Sequence, residues 1–226
     1  MRQLPLSLRL PDRAVFESFL PGPNLQALQH VQQMADGGSG CTWLCGPPGC
    51  GKTHLLQAAC AHAAATGPAC YLPLSQLVSL GPGVLEGMQL PCLCMDELDR
   101  VIGQETWERA LFRLWQEIQE AQGRLLVAAP TPPGRLPFLL PDLASRFGAS
   151  HILVLRALDE TQQQEALQLR ARVRGVELPP EVSRWLQRHF PRDMHRLYAL
   201  LDTLDEAALV EQRRLTVPFI RQVLGL

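Results

Sequence analysis

The chain has 226 residues, 46% of them hydrophobic, with 21 Lys and Arg against 22 Asp and Glu. That apolar content supports a packed core and excludes a disordered chain, and a net charge of -1 offers no global field for nucleic acid. The length fits one large domain or a main domain with a small one; with neither a membrane-length apolar stretch nor an apolar leader block, the expected location is cytoplasmic.

In chain order, residues 1–12 read as a tail. Leu4, Leu6, Leu8 and Leu10 alternate with Gln3, Pro5, Ser7 and Arg9, a strand-like period that Pro5 interrupts because it has no N–H to donate. Pro11 and Asp12 end it, so four leucines sit on a segment too short and too broken to bury them. "FESFLPGPN" (16–24) follows, then the flexible turn "GGSG" (37–40). Five short apolar runs come next: "CTWLC" (41–45), "ACYL" (69–72), "CLCM" (92–95), "RLLVAA" (124–129) and "HILVL" (151–155). Continuous runs of this length predict strands covered on both faces, as in a parallel sheet.

Helical patterns are interleaved with these runs. Residues 52–66 are alanine-rich and stop at Gly67; residues 105–122 place Trp107, Ala110, Leu111, Leu114, Trp115 and Ile118 on one stripe and stop at Gly123. Such alternation predicts an α/β fold. After Leu155 only helical patterns follow: 159–175 with Asp159 as N-cap, 179–190, 192–209, and 216–224 with Thr216 as cap. The predicted organisation is a tail (1–12), an α/β domain with a five-stranded parallel sheet (13–157) and a small all-helical domain (158–226).

One motif carries chemistry outright. "GPPGCGKT", comprising Gly46, Pro47, Pro48, Gly49, Cys50, Gly51, Lys52 and Thr53, fits the phosphate-loop pattern G-x-x-x-x-G-K-[ST]. Its glycines let successive N–H groups turn toward phosphate oxygens, Lys52 adds charge near the β- and γ-phosphates, and the Thr53 hydroxyl suits Mg²⁺. A strand before it and a helix after it are the context this motif needs, and the helix start adds its dipole. The third apolar run ends in Asp96 and Glu97, which makes Asp96 a candidate for the Mg²⁺ shell and Glu97 a candidate for polarising a water.

A phosphate loop, an acidic strand end and an appended helical lid together resemble the AAA+ class. Residues 16–24 look like the stretch before the first strand in its DnaA branch, which implies that they border the adenine pocket. "LPDLASRFGAS" (140–150) resembles the stretch bearing the arginine finger of DnaA-type proteins, and Arg146 is the matching residue. Such a finger acts in trans, on the γ-phosphate held by a neighbouring subunit. By itself, the same arginine reads equally well as a surface residue paired with Asp142.

The tail now finds a use. "QLPLSL", from Gln3 through Leu4, Pro5, Leu6 and Ser7 to Leu8, looks like the short motif that docks bacterial proteins on the DNA polymerase III sliding clamp (beta). In that reading the Gln hydrogen-bonds, the leucines enter an apolar groove, and Pro5 lowers the ordering cost by favouring an extended backbone. Clamp motif and DnaA-like module, with no further domain, resemble the Hda family of DnaA regulatory inactivators; "ALQLRARVRG" (166–175) and "LTVPFIRQVL" (215–224) add to the likeness. The resemblance implies ADP as the bound nucleotide, with ATP as the alternative, and Mg²⁺ held through it by Thr53 and Asp96. It implies the clamp and DnaA as partners, DNA reached only through the clamp, no membrane, and self-association as an option. The function implied is promotion of the hydrolysis of DnaA-bound ATP; the alternative is an autonomous AAA+ ATPase or helicase-loader-like protein.

The sequence departs from the family pattern in two places. The polar residue expected after the fourth strand falls in "VAAPTPP" (127–133), where Ala129 and Pro130 cannot serve and only Thr131 is polar. The lid arginine expected in "RDMHRL" (192–197) falls at His195, with Arg192 and Arg196 beside it, so His195 and Arg196 join the expected nucleotide site. Weak turnover of its own ATP fits these losses, although Asp96 and Glu97 argue the other way. The seven cysteines, Cys41, Cys45, Cys50, Cys60, Cys70, Cys92 and Cys94, lie among apolar residues without a C-x-x-C pair and read as small buried hydrophobes in a reducing compartment.

Overall fold

The computed structural model describes residues 14–88, 90–190 and 194–225, the side chain of His195 excepted. The tail motif Gln3–Leu8 and Arg192 lie outside the described residues. After short turns at Phe16–Ser18 and Gly22–Asn24, the chain runs α1 (Leu25–Ala35), β1 (Gly40–Cys45), α2 (Lys52–Ala63), β2 (Ala69–Pro73), the single turn α3 (Leu74–Leu77) and β3 (Cys92–Asp96). Next come α4 (Glu105–Glu120), β4 (Arg124–Ala129), α5 (Pro141–Gly148) and β5 (His151–Val154). Four helices follow: α6 (Glu160–Val173), α7 (Pro180–His189), α8 (Met194–Glu211) and α9 (Val217–Leu224).

The five strands form one sheet in the order β2-β3-β4-β1-β5, with parallel pairing throughout. This is the α/β fold with a helical lid that the run pattern predicts. One expectation fails. The apolar run at β5 does not mean cover on both faces: β5 is an edge strand, with Ile152 38% and Val154 65% exposed. Its inner neighbour β1 and the central β3 and β4 hold the doubly covered positions. β2, at the other edge, is largely half-buried.

Each face of the sheet builds its own core. On one face Trp43, Leu93, Met95, Leu125 and Val127 meet Trp107, Leu111 and Leu114 of α4 and Leu143 and Phe147 of α5. On the other, Leu44, Cys94 and Leu126 meet Val31 of α1 and Leu55, Leu56 and Ala59 of α2. The alternation within a strand is the period-two rule at work. The lid has a third core, from Leu167 of α6 and Leu186 of α7 to Leu197 and Leu201 of α8 and Phe219 of α9; Leu20 and Leu158 pack against it from the sheet side.

Local signals set the helix starts in the lid. Asp159 accepts from Gln162 N at 2.8 Å, and the Gln162 side chain accepts in return from Asp159 N, a reciprocal cap on α6. Thr216 caps α9, with Pro218 in the first turn where a missing N–H is harmless. The entry segment is pinned to the chain leaving β5: Asn24, 3% exposed, donates to Arg156 O (2.9 Å) and accepts from Arg156 N (2.8 Å). That pair holds residues 16–24 against the start of the lid. Among the described residues no helix is long and apolar enough to cross a membrane.

Candidate nucleotide site and the outer arginine

Residues 46–51 lead from β1 into α2 by a turn that only glycine can make at two points. Gly46 has φ 150° and Gly51 φ 99°; a Cβ on Gly46 would sit 2.4 Å from Leu155 O, and one on Gly51 2.6 Å from Phe19 Cε2. Gly46 N bonds to Pro130 O (3.2 Å), which fixes the loop to the end of β4. Lys52 Nζ donates to the carbonyls of Gly46 (2.7 Å) and Pro47 (3.1 Å), so its charge lies on the loop itself. Cys50 is buried beneath it, and burial raises its thiol pKa while the Lys52 charge opposes the rise.

The acidic strand end adjoins. Asp96 is buried; its Oδ2 accepts from the Tyr71 hydroxyl (2.9 Å) and its Oδ1 from Glu97 N (2.9 Å). Burial first, and then the Asp96 charge, raise the pKa of Tyr71, so this phenol stays a donor to the carboxylate. Glu97 has φ 56°, a left-handed conformation unusual for a side-chain-bearing residue, and Ser75 donates to its carboxylate. Thr131, after β4, keeps a buried hydroxyl without a hydrogen-bond partner among the described residues. Its carbonyl accepts from Trp43 Nε1 (3.0 Å).

A cleft of about 290 Å³ opens between loop and lid. Gly49, Gly51, Lys52, Thr53, His54 and Gln57 line one side, and Arg170, Met194, Tyr198, Ala199 and Asp202 the other. Next to it a narrower recess of about 40 Å³ is lined by Phe19, Leu20, Cys50, Leu158 and again Met194 and Tyr198. His54 joins the entry segment to α2 through Val15 O (2.9 Å) and Ser18 Oγ (3.3 Å), with its ring 5.4 Å from that of Phe19. Phosphate-loop donors with an apolar recess adjoining the same loop suit a nucleotide, and Thr53 with Asp96 offers oxygen ligands suited to Mg²⁺.

The lid side differs from the expected register. Arg196 is exposed and does not line the cleft, whereas Met194 does; the side chain of His195 lies outside the described residues. The arginine that faces the cleft is Arg170, from α6. Its guanidinium lies 4.3 Å over the Tyr198 ring and 3.7 Å from Asp202, which also takes Arg174 at 2.6 Å. Burial pushes the Tyr198 phenol up to about 12, against the pull of the Arg170 charge. Sequence reasoning missed this group. Its signal was Arg170 on α6 and Arg174 at its C-cap, spaced i, i+4 and facing Asp202 and Asp205 at i, i+3 on α8.

Arg146 lies away from the cleft's lining, in the last turn of α5. Leu143 and Phe147 bury the inner side of that helix, with Phe147 edge-on to Trp43 at 5.2 Å. Arg146 is exposed and forms no ion pair with Asp142; its guanidinium lies 4.7 Å over the ring of Trp115 on α4.

Two family descriptions match consecutive parts of the chain: the ATPase family associated with various cellular activities (AAA) over residues 42–153, and the lid domain of Hda over residues 159–224. Domain III of the Thermotoga maritima replication initiation protein DnaA is similar in structure, with a TM-score of 0.78 at 21% identity over 96% of this chain and 97% of that one. AMPPCP-bound DnaA from Aquifex aeolicus follows with a TM-score of 0.68 at 19% identity, covering 87% of this chain and 66% of that one. A mutant of Thermotoga maritima RuvB matches with a TM-score of 0.62 at 22% identity, over 94% of this chain and 71% of that one. The chain joins a domain of the AAA family to a lid domain of the Hda type, on the fold of DnaA domain III.

Proposed function

We propose that the chain is a clamp-tethered AAA+ regulator that holds ADP and promotes hydrolysis of the ATP bound to DnaA, which prevents re-initiation of chromosome replication. The observation that carries this reading is the separation of two arginines. The cleft has its own cations, Lys52 and Arg170, while Arg146 stands exposed on α5 outside the cleft's lining. An arginine that its own site does not use is available to a neighbour's phosphates.

In this reading the N–H groups of Gly49, Gly51, Lys52 and Thr53 and the Lys52 side chain hold the diphosphate, Thr53 and Asp96 hold Mg²⁺, and Phe19, Leu20, Leu158 and Met194 enclose the base. Bound magnesium would offset phosphate charge. Tyr71 keeps Asp96 oriented, and Ser75 occupies the Glu97 carboxylate that would otherwise polarise water. The domain division at 12/13 and 157/158, ADP rather than ATP, and docking of Gln3–Leu8 on the sliding clamp are parts of the same proposal. The docking is tested by pull-down on DNA-loaded clamp. Gln3→Ala with Leu4→Ala should abolish retention, and full retention would remove the tether from the account.

A second reading, an autonomous ATPase or helicase-loader-like protein, draws support from Asp96, Glu97 and the partnerless hydroxyl of Thr131 among the described residues. Steady ATP turnover by the isolated chain, abolished by Glu97→Gln, would favour it. The regulator reading expects little turnover, and stimulation of DnaA-bound ATP hydrolysis instead.

A further inference from the structure

Resting on that regulator reading, we infer that Trp115 is the positioning residue for Arg146: its indole face seats the guanidinium so that the N–H fork points outward for a partner's phosphate oxygens. The geometry is a guanidinium carbon 4.7 Å from the Trp115 ring centroid. Asp142 is one turn back on the same helix, at the i, i+4 spacing where an ion pair forms readily, yet the guanidinium takes the ring instead. The difference matters chemically. A carboxylate at hydrogen-bond distance would take N–H donors that a phosphate needs. A ring face engages the guanidinium through its plane and leaves those five donors free.

The seat is also firm. Trp115 is half-buried and packs against the core beneath α4. The start of α5 is tied to that helix by Glu108, a buried carboxylate that accepts from Gly103 N (2.8 Å), Leu139 N (2.9 Å) and Leu140 N (2.7 Å). Phe147, next to Arg146, is itself fully buried. An arginine carries large rotamer entropy, which a free side chain would lose on reaching the phosphates; stacking removes part of that freedom beforehand. Trp115 Nε1, moreover, is buried without a hydrogen-bond partner among the described residues. An indole whose N–H finds no partner is not the best residue for packing alone, which favours a use for its face.

The test measures hydrolysis of DnaA-bound ATP on DNA-loaded clamp as a function of regulator concentration, for wild type, Trp115→Leu, Trp115→Phe and Arg146→Ala. Trp115→Leu should lower the maximal rate by about twofold to fivefold, the factor that a cation–π contact at an exposed site represents. Its half-saturating concentration should stay near the wild-type value. Trp115→Phe should recover most of the rate, because it keeps a ring face without the partnerless N–H. A wild-type maximal rate for Trp115→Leu, equal losses for Leu and Phe, or a change confined to half-saturation would each overturn the inference. Arg146→Ala separates the two levels: full stimulation by that variant overturns the finger reading and the seat together, whereas loss there with a normal Trp115→Leu overturns the seat alone. Should Trp115→Leu not fold, the NMR order parameter of the Arg146 Nε–H in the wild-type protein decides. A value clearly above that of exposed Arg113 supports the seat; an equal value overturns it.

Discussion

Arg170 and Arg146 each hold a guanidinium over an aromatic ring, as Arg213 does over Phe219 at 4.9 Å, but the surroundings of the first two differ. Arg170 covers Tyr198 at 4.3 Å, has a side chain only 12% exposed, and shares Asp202 with Arg174 inside the cleft. Arg146 covers Trp115 at 4.7 Å on the outer side of α5, exposed and outside the cleft's lining. A ring face orders a guanidinium in both cases, and carboxylates decide what the ordered group is for. Beside Asp202 the charge of Arg170 is balanced within the chain, at the lining of the cleft. On the proposed function, the charge of Arg146 acts on a partner's phosphate.

The largest expected effect breaks the outer half of that comparison through its support. Glu108→Ala leaves three backbone N–H groups without their acceptor, at about 1–3 kcal/mol each, so chemical denaturation should register a loss of at least about 3 kcal/mol. In the folded fraction, stimulation of DnaA should fall while ADP affinity holds. Unchanged stability would mean that the start of α5 is held by other contacts. Next in size is the cleft itself. ADP at a hundredfold excess over its Kd should stabilise the wild-type protein by about 2.7 kcal/mol, read as a rise in Tm, and Lys52→Ala should remove that rise. Equal shifts in both proteins would put the phosphates elsewhere.

Arg170→Ala sharpens the inner half. It should weaken ADP binding by about tenfold, within the range for a hydrogen bond to a charged group, and leave AMP binding nearly unchanged if the contact is to the second phosphate. Calorimetry with both nucleotides checks this, and equal losses would assign Arg170 to packing on Tyr198. The smallest effect concerns a pair of histidines. His30 stacks on His151 at 4.1 Å, and burial first, then the His151 charge, hold its pKa below the ordinary value of about 6.5. The unfolded chain therefore binds the proton more readily, and His30 contributes stability that is fully present above pH 6.5 and is lost as pH falls from there through its lowered folded-state value. His30→Gln should flatten the fall in Tm over that window, and an unaltered slope would shift the cause to another group.

Much of this was legible in the sequence, for physical reasons that also explain the gaps. The phosphate loop is read from spacing because Gly46 and Gly51 have no substitute where a Cβ would strike Leu155 and Phe19. Asp159 announces α6 because its cap is local. Helix α1 went unmarked although Ala27, Leu28, Val31, Met34 and Ala35 keep a helical period; its flanks offer no side-chain cap to draw the eye. The run at β5 hid its exposure, since an apolar run records residue type and not which neighbour covers each face. Arg146 could be picked out by resemblance, but Trp115 beneath it could not: both ends of that contact are set by how α5 packs on α4. Arg170 escaped for the same reason, because its meaning depends on Tyr198 and Asp202 across the lid.

The central claim is that Arg146 acts on a neighbour's nucleotide and not on the chain's own. The direct measurement is hydrolysis of DnaA-bound ATP on DNA-loaded clamp by wild type and Arg146→Ala, with ADP affinity of the same two proteins measured in parallel. Arginine fingers contribute about 10³–10⁵ in rate, so a loss of at least about tenfold is a conservative expectation, with ADP affinity unchanged and poor rescue by Arg146→Lys. Undiminished hydrolysis, or loss of ADP binding in place of hydrolysis, would contradict the account.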